Sequence, residues 1–247
     1  MSGHSKWATI HRQKEVKDAK RGALFSKLAR AITIAVKTGG GDDPDSNFKL
    51  RIAVDKAKDV NMPKTNIERA IASGVGGEQM EEVLYEGFGP GGIAVMLEVA
   101  TDNRNRTGQE IKNIFERSGG TLGGPGVAAY NFEQKAYIAL KKGLSPQDQI
   151  LSLIDLGVDE VEEAADSIEV YVNPSDYSAK LALLKDKGNE ILSSELVQKP
   201  KNFLNITDTI VAKKVLAFLE ALEDQADVQK VHANANIADS LLSQLNH

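Results

Sequence analysis

The spacing of apolar residues changes near residue 75, and this change restricts the chain to folds that combine helices with sheets. In residues 18–38 the apolar side chains recur every three or four positions, which is the period of a helix that buries one face. In residues 93–99 they alternate with other residues, which is the period of a strand. We therefore predict an N-terminal helical part followed by α+β structure.

The helical period predicts three helices before residue 75. The first covers residues 18–38 and stops at the glycines of residues 39–41, because glycine readily adopts the left-handed conformation that ends a helix. The second ends near Asn61, and the third begins at Pro63, since proline suits a first helical position. Residues 18–74 are thus predicted to form a small helical domain.

The strand period predicts a mixed order of elements beyond residue 79. From residue 136 to about residue 200 the order strand, helix, strand, strand, helix, strand is that of a ferredoxin-like domain. A helix and a strand predicted after residue 206 cannot bury their apolar faces by themselves. We therefore assign them to the same domain as the elements before residue 134. The prediction is an α+β protein of three domains, one inserted in another: residues 1–78, residues 79–134 with 205–247, and residues 135–204. Individual strands and helices are predicted at 83–85, 93–99, 105–118, 127–132, 136–140, 145–154, 158–164, 167–172, 174–184, 190–198, 208–223 and 227–233.

Charge is distributed very unevenly along the 247 residues. The formal net charge is −5, which taken alone argues against a nucleic-acid partner. However, residues 1–70 hold fifteen basic and eight acidic residues, whereas residues 71–247 hold 15 and 27. Residues 1–37 alone hold nine basic and two acidic residues. This pattern indicates a basic binding segment attached to an acidic body.

Several classes of protein are disfavoured by what the sequence lacks. There is no cysteine, which excludes disulfides, thiolate metal sites and a cysteine nucleophile. The four histidines show no metal-binding spacing, and no catalytic motif is present, so we predict no enzyme, metal or cofactor. No apolar stretch has the length of a membrane span, and the basic N-terminus does not read as a secretory signal. A cytoplasmic location without membrane contact is the expectation, and the oligomeric state stays open.

Two glycine-rich segments need an interpretation. Residues 87–92 satisfy the G-x-G-x-x-G spacing, but a strand follows where a dinucleotide site requires a helix. We therefore interpret this segment as a connection between strands. Residues 119–126 could fit closely against a partner or simply form a flexible connection, and the sequence does not choose between these roles.

The basic residues of the arm and of the first helix are the candidate nucleic-acid contacts. On a helical projection Lys20, Lys27, Arg30 and Lys37 share an arc separate from the apolar one. The alternative is an ordinary solvated helix face. Arg104 and Arg106 lie where a strand leads into a helix, a position that favours anions, although a capped helix start is equally consistent. The predicted nucleic-acid-binding residues are His4, Lys6, Trp7, His11, Arg12, Lys14, Lys17, Lys20, Arg21, Lys27, Arg30, Arg104 and Arg106, where cations would hold phosphates and Trp7 would stack on a base.

Specific motifs throughout the first 130 residues resemble those of the YebC/PmpR family. They are the opening MSGHSKWATI of residues 1–10 and the blocks DPD at 43–45, NMPK at 61–64 and YEGFGPGG at 85–92, with TDNRNRT at 101–107. The likeness covers essentially the whole chain, although beyond residue 135 it is mainly one of pattern. It implies a helical N-terminal domain and two α+β domains around a cleft.

The resemblance also implies a function. Members are mostly described as probable transcriptional regulators that bind DNA. Mitochondrial relatives are translational activators, and some bacterial members resemble ribosome-associated factors that relieve stalling at proline-rich sequences. The two hypotheses are therefore a DNA-binding regulator and a translation factor that contacts rRNA or tRNA.

Overall fold

The computed structural model describes residues 18–77, 80–164, 166–238 and 241. Two compact units divide the chain: one is formed by residues 131–202, and the other joins the residues before 131 to those from 203 onward. Helices and antiparallel sheets occur in the same chain, which confirms the predicted α+β class. The proposed three domains, with their boundaries at residues 78, 134 and 204, stay a prediction.

Three helices pack together at the start of the larger unit: α1 (Asp18–Thr38), α2 (Phe48–Asp59) and α3 (Lys64–Val75). They agree with the three predicted helices. A glycine at residue 40 follows α1 with a φ of 96°, a backbone conformation that side chains disfavour. Burial of one face of each helix holds the group together, and the buried residues are Ile32, Ala35, Val36, Leu50, Ala53, Val54, Ala57, Met62, Ile67 and Ala70.

Helices α1 and α3 cross very closely because residue 74 is a glycine. A Cβ atom placed on Gly74 would lie 2.7 Å from the Cβ of Val36, closer than real side chains approach. Beside this crossing the buried hydroxyl of Thr33 donates to the backbone oxygen of Ala70 at 3.0 Å. The crossing thus places the two helices at van der Waals contact over a short stretch.

A sheet begins directly after the helices. Strand β1 (Glu81–Phe88) pairs antiparallel with β2 (Ala94–Thr101), which leads into helix α4 (Arg104–Arg117). A short strand, β3 (Thr121–Gly123), pairs with the other edge of β1. The glycine-rich residues 87–92 connect β1 to β2 through a single 3₁₀ turn, as expected for a connection between strands.

The smaller unit has the ferredoxin-like order predicted for it. Its elements are β4 (Phe132–Lys141), α5 (Pro146–Asp155), β5 (Glu160–Glu163), β6 (Ser167–Val172), α6 (Tyr177–Asp186) and β7 (Ile191–Pro200). The strands form one antiparallel sheet in the order β5-β6-β4-β7. Its core combines one face of β4 and β6 with residues of both helices: Ala136, Ile138, Leu140, Leu153, Ile168, Val170, Val172, Tyr177 and Leu184.

The last part of the chain returns to the first sheet. Its elements are β8 (Leu204–Ile206), α7 (Thr209–Asp224), β9 (Val228–Ala233) and β10 (Ala235–Ile237). Strand β9 pairs antiparallel with β2, which completes a sheet of order β3-β1-β2-β9. Helices α4 and α7 meet in the core through Phe115 and Phe218, whose rings stand edge to face at 4.9 Å. Strands β8 and β10 form a separate parallel pair that the sequence did not predict.

One predicted strand is wrong. Residues 127–132 were expected to be extended, but they form turns and the 3₁₀ segment Ala129–Asn131, and β4 starts only at Phe132. The buried carboxylate of Glu86 accepts hydrogen bonds from the backbone N–H groups of Gly126, Ala128 and Ala129. These donors are therefore satisfied by a side chain and need no neighbouring strand.

Candidate nucleic-acid interface

The predicted contact residues of the arm lie outside the described part of the chain. Lys20 and Arg21 are helical positions of α1, but their side chains lie outside the described part of the chain. The proposed phosphate and base contacts of these residues stay predictions. The arm residues concerned are His4, Lys6, Trp7, His11, Arg12, Lys14 and Lys17.

Lys27 contacts the end of α7, and Arg30 contacts the residues just after that helix. The ammonium of Lys27 donates to the backbone oxygen of Glu223, and the guanidinium of Arg30 donates to that of Ala226 at 2.6 Å. The last carbonyls of a helix have no partner within the helix and carry its negative partial charge, so cations stabilise them. Lys27 and Arg30 therefore join α1 to the end of α7 and to the residues that follow it, a role not predicted from the sequence.

Asp227, just after α7, forms ion pairs and hydrogen bonds with the cations and hydroxyls around it. Its side chain is 3% exposed and forms ion pairs with Arg30 at 3.3 Å and Arg106 at 2.9 Å. The hydroxyl of Thr107 donates to it at 2.6 Å, and that of Thr101 lies 3.4 Å away. One carboxylate thus links α1, the end of β2 and the start of α4.

The pKa of Asp227 reflects this environment. Burial raises it, because burial disfavours the charged form. Hydrogen bonds from Thr107 and Arg106, with the charges of Arg30 and Arg106, outweigh burial and hold the pKa below its usual value. Asp227 is therefore a carboxylate at neutral pH, and it compensates the two arginines near it.

The turn at residues 101–107 is a capped helix start. The side-chain oxygen of Asn103 accepts a hydrogen bond from the backbone N–H of Arg106 at 3.1 Å. Both arginines are exposed, and the Arg106 guanidinium bonds Asp102 at 2.7 Å as well as Asp227. The carbonyl of Arg104 accepts a hydrogen bond from Tyr85 at 3.1 Å, which holds the turn against β1. Arg106 is therefore the arginine of the predicted pair that carboxylates hold, and phosphate binding by either stays a prediction.

Sequence reasoning missed Asp227, although a signal was present. It lies one residue before β9, in the sequence DQADVQ that follows a long amphipathic helix. An acid at that point sits where helix carbonyls already repel it, so cations from elsewhere must balance the site. Only the folded chain shows that those cations are Arg30 and Arg106.

Glu86 organises the second glycine-rich segment. Three backbone N–H groups converge on its carboxylate at 2.8–2.9 Å. Burial raises the pKa of Glu86, but the hydrogen bonds from Gly126, Ala128 and Ala129 outweigh burial and lower it. The segment is consequently fixed at its end by a charged group within the protein.

We expect Glu86 to make the stability of the protein depend on acid pH. A carboxylate whose pKa is lowered by folding stabilises the folded state above its unfolded pKa of about 4.3. That contribution is lost as the pH falls through the lower, folded value. We expect Glu86→Gln to cost about 1–3 kcal/mol at pH 7, because its amide group faces backbone donors. Urea unfolding at pH 7 and pH 4 should show a smaller loss on acidification in the variant than in the wild type.

Glu82→Gln provides the matched control on the same strand. Glu82 is 55% exposed and pairs with Lys49 at 3.8 Å. Its replacement should leave the unfolding free energy and its pH dependence nearly unchanged. Equal effects of the two substitutions would contradict the role assigned to Glu86.

The described residues 18–77, 80–164, 166–238 and 241 also bear on metal binding and membrane insertion. They contain no group of three or more His, Asp or Glu residues placed to hold a metal ion. His232 lies 2.9 Å from Glu98. No helix within these ranges combines the length and apolarity needed to cross a membrane.

Comparison with known proteins agrees with this architecture. Residues 5–77 match the TACO1/YebC protein N-terminal domain, and residues 80–235 match the TACO1/YebC second and third domain. This chain belongs to the TACO1/YebC family. The resemblance to YebC proteins found in the sequence is thereby confirmed.

Relatives within the family are similar over their full length. A protein of Dictyoglomus thermophilum named "Probable transcriptional regulatory protein" is 46% identical, with 99% of this chain and 100% of that protein covered. A protein of Syntrophomonas wolfei with the same name is 42% identical at the same coverage. The crystal structure of a conserved hypothetical protein from Aquifex aeolicus matches with a TM-score of 0.82 and 42% identity, covering 90% of this chain and 93% of the other. The chain is therefore related throughout to proteins described as probable regulators.

Proposed function

We propose that this TACO1/YebC protein is a non-enzymatic regulator of gene expression that binds DNA in the cytoplasm. The observation that carries the proposal is the excess of cations in residues 1–37, nine basic against two acidic, on a chain whose body is acidic. Such a segment attracts phosphates, while the acidic body limits indiscriminate binding. The names of the relatives as probable transcriptional regulatory proteins support the regulatory part of the proposal.

A translation factor that contacts rRNA or tRNA is the second candidate. The observation that favours it is the position of Lys27 and Arg30, which bond the end of α7 and the residues just after it. For α1 to enter the major groove of DNA with this face, these bonds would have to break. Recognition of structured RNA through its phosphates and shape does not require these bonds to break.

Binding through the arm predicts a strong salt dependence. We expect the combined replacement of Lys6, Arg12 and Lys14 by alanine to weaken binding of a DNA duplex and to reduce the slope of log K against log salt by about three. Fluorescence anisotropy at several salt concentrations measures both quantities. Lys27 and Arg30 are excluded from this variant because they bond carbonyls at the end of α7 and just after it, so their loss would also affect the fold.

The control removes three exposed cations outside the basic segment. The three are exposed and lie beyond residue 70: Lys112, Arg117 and Lys141. Their joint replacement changes the net charge equally, yet it should leave the affinity and the slope nearly unchanged. Equal losses in both triple variants would contradict binding through the arm.

Cellular measurements separate the two candidates. A translation factor should co-sediment with ribosomes, and a deletion strain should show codon-specific stalls in ribosome profiling. A transcriptional regulator should instead occupy promoters, and its deletion should produce no such stalls.

A further inference from the structure

A groove of about 260 Å³ lies between helices α1 and α3. Its walls come from one face of each helix, since the lining positions 26, 29, 30 and 33 and the positions 66, 69, 70 and 73 are three and four residues apart. The close crossing at Gly74 and the bond from Thr33 to Ala70 mark one end of this line of contact. The groove follows the two helices from that crossing toward their N-terminal halves.

The groove combines cations with an apolar lining. Arg30 and Arg69 both line it, and no acidic residue does. Arg30 is held by Asp227, whereas the exposed Arg69 has no hydrogen bond or ion pair with the residues that the structure describes. Phe25 and Met62 contribute an aromatic ring and a thioether to the lining. An arginine beside an aromatic and apolar surface suits a ligand with a phosphate and a flat ring.

We propose that this groove binds one unpaired nucleotide of a nucleic-acid strand. Arg69 would hold its phosphate, and the base would lie against Phe25 and the small exposed part of Met62, which is 6% exposed. An unpaired base could reach this lining, whereas a base stacked inside a duplex could not. The inference rests on the proposed nucleic-acid function and adds a site outside the basic arm.

The test uses a fluorescein-labelled single-stranded RNA of ten nucleotides and the full-length protein. Arg69→Ala should weaken binding about tenfold and reduce the salt slope by about one, because one phosphate contact is lost. Arg69→Lys should restore part of the affinity, since it keeps the charge without the guanidinium fork. Arg117→Ala removes the same side chain from another exposed helix position and should change the affinity less than twofold. Equal urea midpoints for the variants would show that Arg69 acts on binding and not on folding.

Methyl NMR locates the ligand. With methyl-labelled methionine, the resonance of Met62 should shift on addition of the RNA, while that of Met96, buried in β2, should not. A blunt-ended duplex without unpaired bases should leave the Met62 resonance in place.

The outcomes distinguish the groove from the proposed function. If the RNA binds but Arg69→Ala has no effect, or matches Arg117→Ala, the groove proposal is overturned and the function stands. If no nucleic acid binds the wild type, both fail. If a polyglutamate peptide moves Met62 and the RNA does not, the groove belongs to an acidic protein partner and the nucleotide proposal is wrong.

Discussion

Replacing Asp227 with alanine is expected to lower the free energy of unfolding by about 3 kcal/mol, because it leaves cations near a buried site without their counter-charge. Arg30 and Arg106 both form ion pairs with this carboxylate, and Thr107 donates a hydrogen bond to it. Arg30 and Arg106 are 27% and 44% exposed, so water can partly solvate them. The expected loss therefore lies at the lower end of the range for breaking a buried ion pair. Urea unfolding measures the loss.

Asp102→Ala is the matched control for this experiment. Asp102 bonds the same guanidinium of Arg106 at 2.7 Å, but its side chain is 62% exposed. Solvent screens such a pair, so its removal should cost much less. Similar losses for the two aspartates would show that burial of Asp227 is not what makes it important.

Loss of Asp227 should also loosen helix α1. Arg30 joins α1 to the residues after α7 through Asp227 and through the carbonyl of Ala226. Without the carboxylate, we expect faster hydrogen exchange of the amides around Arg30 than of those in β2. Uniform acceleration throughout the chain would indicate global destabilisation instead of a local link.

Phe218→Ala is expected to lower the free energy of unfolding by about 3–5 kcal/mol, since it removes a buried ring and leaves a cavity. The side chain is 1% exposed and packs edge to face on Phe115 at an interplanar angle of 80°. A Cβ on Gly89 would lie 2.4 Å from the ring, so the β1–β2 connection is shaped around Phe218. Thermal and urea unfolding both measure the effect.

Tyr130→Ala controls for the loss of an aromatic side chain. Tyr130 is 65% exposed, and its replacement should change the free energy of unfolding by less than about 1 kcal/mol.

A double-mutant cycle that combines Phe115→Ala with Phe218→Ala should give a coupling free energy of about 0.5–1.5 kcal/mol. Purely additive losses would show that the edge-to-face contact contributes nothing beyond burial.

The helices and long strands could be predicted because each carries its own apolar period. Helix α1 ends at Thr38 as expected, and the ferredoxin-like order of residues 132–200 follows from alternating patterns and turn residues. The failure at residues 127–132 has a different origin. Glu86, some forty residues earlier, satisfies the backbone donors that an extended segment would offer to a sheet. A local pattern carries no information about such a distant partner.

The candidate site was predictable only in part, for a similar reason. The shared arc of Lys27 and Arg30 on α1 follows from helical geometry, but their partners at residues 223, 226 and 227 are almost two hundred residues away. Arg69 carried no motif that distinguished it from other exposed cations. It became a candidate because the fold places it in one groove with Phe25 and Met62.

The sequence by itself determined the class of fold, the family and the separation of a basic segment from an acidic body, because periodicity, motifs and charge are properties of neighbouring residues. The tertiary structure alone decided which cations are held within the protein and which face solvent. Arg30 and Arg106 pair with one buried carboxylate, whereas Arg69 lines an open groove. The physical reason is that a buried charge needs an opposite charge nearby, and only folding brings residues 30, 106 and 227 within reach of one another.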